Sequence, residues 1–121
     1  MFRVFLVCSD LMFCDELRDC FERECEFQVC GETHDGVDAV KIILQLEPDL
    51  VVLEEESLPT TVLDLASSIK AAMPEVTVFL VMESSDVATE KEALASGVEA
   101  VFEKADFSAL LLNARALCGL D

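Results

Sequence analysis

Most of the side chains that could do chemistry follow directly after apolar runs of the chain. They form four groups: Cys8-Ser9-Asp10, Glu54-Glu55-Glu56, Glu83-Ser84 and Lys104. Carboxylate oxygens are the ligands that hard divalent cations prefer, and a lysine ammonium at the edge of a low-dielectric core needs an anionic partner. The groups therefore predict a pocket in which acids either pair with one lysine or hold a cation.

The apolar runs that precede these groups have the length and composition of buried strands. They cover residues 2–8, 27–30, 50–53, 76–82 and 98–103, and the stretches with helical periodicity cover 11–25, 37–46, 61–73, 86–97 and the segment from 106 or 108 onward. Asp10 and Asp86 are suited to begin helices, and Pro48 and Pro74 to follow them. Five strands alternating with five helices predict a parallel sheet covered by helices on both faces, with functional residues at the carboxyl ends of the strands.

Length and charge restrict the classes of function. A chain of 121 residues is long enough for one domain, 1–121, with a core that needs no disulfides. Its 25 acidic and 8 basic residues give a net charge of -17, which repels nucleic acid phosphates and anionic lipids. No apolar stretch approaches the roughly 20 residues of a membrane span. We therefore expect a soluble, cytoplasmic domain that contacts proteins and itself binds neither nucleic acid nor membrane.

The cysteines are expected to be reduced, and mostly buried, thiols. There is no signal peptide and no C-x-x-C motif, and His34 has no cysteine at zinc-finger spacing, so no structural zinc is predicted. A redox role for Cys8 is disfavoured because an acidic pocket raises the pKa of a thiol. The six cysteines are at positions 8, 14, 20, 25, 30 and 118.

Several short motifs occur in an order and spacing that are more informative than any one of them. They are Arg3-Val4-Phe5-Leu6-Val7, Val29-Cys30-Gly31-Glu32, Pro48-Asp49-Leu50-Val51-Val52-Leu53, Leu58-Pro59 and Ala93-Leu94-Ala95-Ser96-Gly97-Val98. Together they resemble a response-regulator receiver domain (CheY-like) over essentially the whole chain, in the LuxR/NarL-type subclass. The resemblance implies a flavodoxin-like (βα)5 fold, a doubly wound parallel sheet with strand order 2-1-3-4-5. It also implies a role in two-component signal transduction and transcription regulation, with a helix-turn-helix output domain outside this chain.

The resemblance also implies a phosphorylation site, which this chain carries in altered form. In the family, two acidic residues after the first strand and an aspartate after the third hold Mg²⁺, and that aspartate accepts the phosphoryl group. Here the acidic pair falls on Cys8 and Ser9, which are poor ligands for Mg²⁺, and Asp10 lies one place later. The acceptor is a glutamate: counting from Pro48 selects Glu54, whereas counting back from Leu58-Pro59 selects Glu55. The longer side chain extends toward the place of a phosphoryl group and is expected to hold Lys104, the retained family lysine.

The switch that reads phosphorylation in the family is also altered. The hydroxyl position is occupied by Met82, which cannot donate a hydrogen bond, and the position of the rotating aromatic by Val101. Ser84 is the nearest remaining hydroxyl. Without two states that differ in their affinity for the phosphoryl group, phosphorylation has little to bias.

We therefore expect a degenerate receiver, or pseudoreceiver: a non-enzymatic interaction module with no cofactor and no metal. Its expected partner is another protein or a second copy, bound through the fourth helix, fifth strand and fifth helix. One alternative is a receiver that accepts phosphate from a histidine kinase through Glu54 or Glu55, with Mg²⁺ held by those acids and Asp10. Another is a small-molecule or flavin site, for which no glycine-rich phosphate loop is present. The apolar residues expected on the dimer face are Phe102, Phe107, Leu110, Leu111, Leu112 and Leu117.

Overall fold

The computed structural model describes residues 1–54, 59–84 and 86–119, and in them five strands alternate with five helices. The strands are β1 (Phe2–Val7), β2 (Phe27–Thr33), β3 (Leu50–Glu54), β4 (Thr77–Met82) and β5 (Ala100–Glu103). The helices are α1 (Leu11–Glu22), α2 (Ala39–Leu46), α3 (Pro59–Ala72), α4 (Val87–Ala95) and α5 (Phe107–Leu117). Among these residues no helix is both long enough and apolar enough to span a bilayer.

The strands form one parallel sheet in the order β2-β1-β3-β4-β5. This is the predicted doubly wound, flavodoxin-like fold, which is thereby confirmed. The order reverses between β1 and β3, so the carboxyl ends of these two strands open the crevice where such folds place their sites.

Each face of the sheet carries its own core, because successive side chains of a strand point to opposite faces. The α1 and α5 side buries Val4, Leu6, Cys8, Val52, Phe79 and Val81 against Phe13, Leu17, Phe21 and Leu110. The side of α2, α3 and α4 buries Phe5, Val7, Val51, Leu53, Leu80 and Met82 against Ile43, Ala66, Ile69 and Ala93. Burying each large apolar side chain contributes about 1.5–3 kcal/mol, so both layers are needed to hold the strand ends in place.

Strand β2 is longer than predicted, and Gly31 lies within it. The pairing of β1 with β2 shifts register between Val4 and Phe5, which places Phe5 beside Gly31. A Cβ atom on Gly31 would lie 3.0 Å from the Phe5 ring and 3.1 Å from the Leu46 side chain. Gly31 therefore makes room for the Phe5 and Leu46 side chains instead of ending the strand. As a result β2 continues to Thr33 and includes Glu32 near its carboxyl end.

Several helix boundaries also differ from the sequence expectation, most clearly those of α1 and α3. Helix α1 ends at Glu22, three residues before the predicted end at 25, because a turn follows and returns the chain to β2 at Phe27. Helix α3 begins at Pro59 instead of after the predicted cap Thr61. A proline suits the first helical position because its missing N–H would have no partner inside the helix.

Candidate functional site

The carboxyl ends of the central strands bring four of the predicted positions into one pocket. Glu54 is the last residue of β3, and the loop after β1 carries Ser9 and Asp10 beside it. Lys104 follows β5 and is fixed by its backbone N–H, which donates to the Met82 carbonyl at 2.8 Å. The sheet thus brings together an acid, the loop that caps α1 and a lysine.

Glu54 is a fully buried carboxylate with partners on both oxygens. Its Oε1 accepts hydrogen bonds from the backbone N–H groups of Ser9 and Asp10 at 2.8 and 3.1 Å, and from the Ser9 hydroxyl at 3.3 Å. Its Oε2 lies 2.7 Å from the Lys104 Nζ, and its side chain has no exposed surface. A buried charge persists only when it is paired in this way, so the pocket is arranged around this carboxylate.

Lys104 lies among three acids and against one aromatic ring. Besides Glu54, its Nζ is 3.3 Å from Asp10 Oδ2 and 3.7 Å from Glu83 Oε2. The same Nζ lies 5.2 Å from the centre of the Phe13 ring, within range of a cation–π contact. Burial lowers the pKa of Lys104, but the hydrogen bond and charge of Glu54, followed by those of Asp10, outweigh it and raise the pKa to about 12. The ammonium is therefore charged at any physiological pH.

Asp10 has two roles, one for each oxygen. Oδ1 caps helix α1 by accepting from the N–H groups of Met12 and Phe13 at 3.1 and 3.2 Å, and Oδ2 faces Lys104. The hydrogen bond from Phe13, followed by the one from Lys104, lowers the pKa of Asp10 below its usual value. The carboxylate is thus committed to the helix and the lysine.

Cys8, Met82 and Val101 offer no charged or hydroxyl group to the Glu54–Lys104 pair. Cys8 is buried, and its hydrogen bond with Cys14, followed by burial, raises its pKa, so it is a neutral thiol. Met82 is buried in the core on the side of α2, α3 and α4, and Val101 packs against the same core. Glu55, the second candidate for the acceptor position, lies outside the described residues.

Some residues of the pocket were missed by sequence reasoning. Phe13 was read only as part of an amphipathic helix, although its ring lies beside Lys104. The backbone N–H groups of Ser9 and Asp10, which bind Glu54, have no signature in side-chain type. A separate group, Cys14 and Glu32 with His34, converges next to Cys8, and its spacing along the chain resembles no metal-binding motif.

The fold is shared with solved receiver domains of response regulators. The signal receiver domain of a DNA-binding response regulator from Colwellia psychrerythraea has a TM-score of 0.88 at 20% identity, covering 98% of this chain and 99% of that one. The response regulator domain of Thermotoga maritima CheB has a TM-score of 0.86 at 21% identity, covering 100% and 98%. The receiver domain of the response regulator NarL from Mycobacterium tuberculosis gives 0.84 at 20%, covering 96% and 94%. The predicted resemblance to receiver domains is therefore confirmed for the fold.

Similarity in sequence is confined to part of the chain. A protein-glutamate methylesterase/protein-glutamine glutaminase of Pyrococcus abyssi is 33% identical over 54 residues, and one of Pyrococcus horikoshii is 36% identical over 52 residues. These segments are 45% and 42% of this chain but only 15% and 14% of the relatives. No family model matches the chain.

The residues described at the pocket do not fit the Mg²⁺ that receiver domains hold there. Both Glu54 oxygens are occupied by hydrogen-bond donors or the lysine, and both Asp10 oxygens face donors as well. The position that the resemblance assigns to the first acidic residue is the buried thiol of Cys8. A hard cation needs several free oxygen ligands, whereas here an ammonium supplies the positive charge.

Proposed function

We propose that this chain is a receiver domain that signals without phosphorylation. Its Glu54 carboxylate takes the place that a phosphoryl group has in active receivers and holds Lys104 permanently. The 2.7 Å distance between Glu54 Oε2 and Lys104 Nζ, in a fully buried position, is the observation that carries the proposal. The domain then acts as a constitutive interaction module in two-component signalling.

The switch positions support the same function. In the family a hydroxyl after β4 moves toward the phosphoryl group, and an aromatic residue on β5 rotates in response. Met82 and Val101 offer neither a hydrogen bond nor an aromatic ring, and both pack into the core of α2, α3 and α4. With nothing to read a change at the pocket, a single state is the consistent outcome.

The proposed output is a protein contact through α4, β5 and α5, with a second copy as the expected partner. Leu94 on α4 and Leu112 on α5 are 52% and 68% exposed, and Leu117 is also exposed. Phe102 and Leu110 are instead buried in the core, so they do not contribute to such a face. Both helices pack on β5, and exposed leucines on the two are more typical of an interface than of a solvated surface.

A phosphate-accepting receiver remains the second candidate, with Glu54 or Glu55 as acceptor and Asp10 on a shifted Mg²⁺. Incubation with Mg²⁺ and acetyl phosphate, followed by intact-mass measurement, separates the two functions. We expect no gain of a phosphoryl group and no saturable binding of beryllofluoride. A covalent phosphate on Glu54 or Glu55 would overturn the pseudoreceiver proposal.

A variant that restores the family residues controls this assay. Cys8→Asp, Ser9→Asp, Glu54→Asp and Met82→Thr together reinstate the acidic pair, acceptor and hydroxyl that the resemblance assigns to these positions. We expect this variant to bind beryllofluoride in a Mg²⁺-dependent way while the natural chain does not. Its binding would show that the assay detects a working pocket on this scaffold.

The dimer is tested by sedimentation equilibrium on the natural chain and two lysine variants. Leu94→Lys and Leu112→Lys should each weaken self-association by about tenfold or more, because each buries a charge in the proposed interface. Leu44→Lys on α2 is the matched control, since Leu44 is 47% exposed and lies away from that face. A chain that stays monomeric at high concentration, or a control that behaves like Leu94→Lys, rules out this face.

A further inference from the structure

A second group of reactive side chains lies near the same edge of the sheet, between β2 and α1. Cys14 on α1, Glu32 on β2 and His34 just after β2 place one ligand atom each within 4.8 Å of the others. Glu32 Oε2 lies 3.6 Å from Cys14 Sγ and 2.8 Å from His34 Nε2. We propose that these three residues bind a divalent transition metal of borderline softness, with zinc as the best fit.

The ligand types favour zinc over the cations of ordinary acidic surfaces. Thiolate, imidazole and carboxylate are its usual protein ligands, at about 2.0–2.3 Å, whereas Mg²⁺ and Ca²⁺ select oxygens. Atoms at those distances in a tetrahedron lie roughly 3.3–3.8 Å apart. The Cys14–Glu32 distance already falls in that range. The Glu32–His34 distance must open by about half an ångström, and the His34 side chain, 48% exposed, has the freedom to move.

The carboxylate is already oriented for this role. Arg18 forms an ion pair with the other oxygen of Glu32, Oε1, and is itself held by Asp15 at 2.7 Å. This leaves Oε2 directed at the thiol and the imidazole. Outer partners of this kind, which fix the orientation of a metal ligand, are a regular part of metal sites.

Burial and charge also favour the site. The Cys14 side chain has no exposed surface, so its sulfur is held in one place by the core instead of sampling solvent. The net charge of -17 raises the local concentration of cations around the chain. Binding would release the Cys14 thiol proton to solvent as the sulfur–metal bond forms. A fourth ligand position remains for water.

This site is independent of the function proposed for the Glu54 pocket. It ties the first helix to the strand at the sheet edge, so bound metal would add to the stability of the fold according to its concentration and affinity. It also departs from the sequence expectation that the chain holds no metal, which was based on spacing along the chain.

Cobalt is the spectroscopic probe for the test. The full chain, without a histidine tag and with its thiols reduced, is titrated with Co²⁺. We expect one equivalent to give a thiolate-to-cobalt charge-transfer band in the near ultraviolet and visible bands of tetrahedral intensity. Added Zn²⁺ should displace the cobalt and abolish both. Absence of the bands, or weak octahedral spectra alone, overturns the proposal.

Variants identify the ligands. Cys14→Ser should lose the charge-transfer band, and His34→Ala should weaken Co²⁺ binding by more than about tenfold. Because His34 is half exposed, its replacement keeps the fold and remains decisive if the Cys14 variant unfolds. Cys25→Ser is the matched control, since Cys25 is exposed and free. Unchanged cobalt binding in His34→Ala, or a loss in Cys25→Ser equal to that in Cys14→Ser, would place the metal elsewhere.

Discussion

Two lysine–glutamate pairs have the same arrangement at opposite ends of the strands. We call the side with the carboxyl ends of the strands the carboxyl edge and the other side the amino edge. At the carboxyl edge Lys104 Nζ lies 2.7 Å from Glu54 Oε2, and at the amino edge Lys70 Nζ lies 2.6 Å from Glu99 Oε1. In each pair the second oxygen of the glutamate accepts from a backbone N–H, at 2.8 Å from Ser9 or 2.6 Å from Val78. They differ in burial: the Glu54 side chain has no exposed surface, whereas that of Glu99 is 38% exposed.

The difference in burial separates a pair that water can reach from one that lies inside the fold. Lys70 also donates to the carbonyls of Pro74 and Val76, so it closes the connection between α3 and β4. Lys104 faces the carboxylates of Glu54, Asp10 and Glu83 instead. A buried carboxylate that loses its cation has no water to replace it, so the carboxyl-edge pair should be far more sensitive to change.

The largest expected effect is the loss of folding stability when Lys104, and not Lys70, is replaced. Lys104→Met keeps the apolar stem but leaves the Glu54 charge buried without a counterion, and should lower the free energy of unfolding by about 1–3 kcal/mol. Lys70→Met should cost less, because water can reach Glu99. Urea denaturation of both variants measures the difference. Equal losses would mean that burial does not distinguish the pairs.

Replacing either glutamate of the two pairs by glutamine should cause a smaller loss of stability. Glu54→Gln preserves shape, but the described groups around the carboxylate are all donors, so the new amide NH₂ must face one of them. We expect a loss of about 1–2 kcal/mol. Glu99→Gln meets the same conflict at a more exposed position and should cost under about 1 kcal/mol. Thermal unfolding checks the order, and a larger loss for Glu99→Gln would reverse the comparison.

The smallest expected effect is a pH dependence specific to the carboxyl edge. The pKa of Asp10 is lowered in the fold from the ordinary value of 3.8, so its charge stabilises the protein above that pH, and this contribution disappears as the pH falls through the folded value. Asp10→Asn keeps an N-cap acceptor but removes the charge. Its melting temperature should fall below that of the natural chain at neutral pH and approach it in acid.

At alkaline pH the stability contributed by the pocket changes in the opposite direction: it decreases as the pH rises. Lys104 has a pKa raised from 10.5 to about 12, so its contribution is complete below 10.5 and is lost as the pH rises toward 12. Between the pH range in which Asp10 titrates and pH 10.5, the difference in melting temperature between the natural chain and Asp10→Asn should be constant. A difference that instead changes near neutrality would assign the effect to another group.

Much of the fold was predictable because its signals are local. Apolar runs of strand length, separated by amphipathic stretches and helix caps, predicted all five strands and all five helices of the described residues. The predicted end of β2 before Gly31 was wrong because a glycine can either end a strand or lie within it where a neighbouring side chain, here Phe5, needs the space. Only the register of β1 on β2 distinguishes these cases, and register is set by contacts between distant residues.

The chain alone determined which residues stand at the strand ends, because covalent order and a parallel sheet put every carboxyl end at one edge. It therefore placed Glu54, Ser9, Asp10 and Lys104 in one region. Tertiary structure alone decided that Glu54 is sealed from water with a donor or cation at each oxygen. It also brought Cys14 to Glu32 and His34, because side chains 18 or more positions apart meet only when helix packing and strand register have been settled by the core.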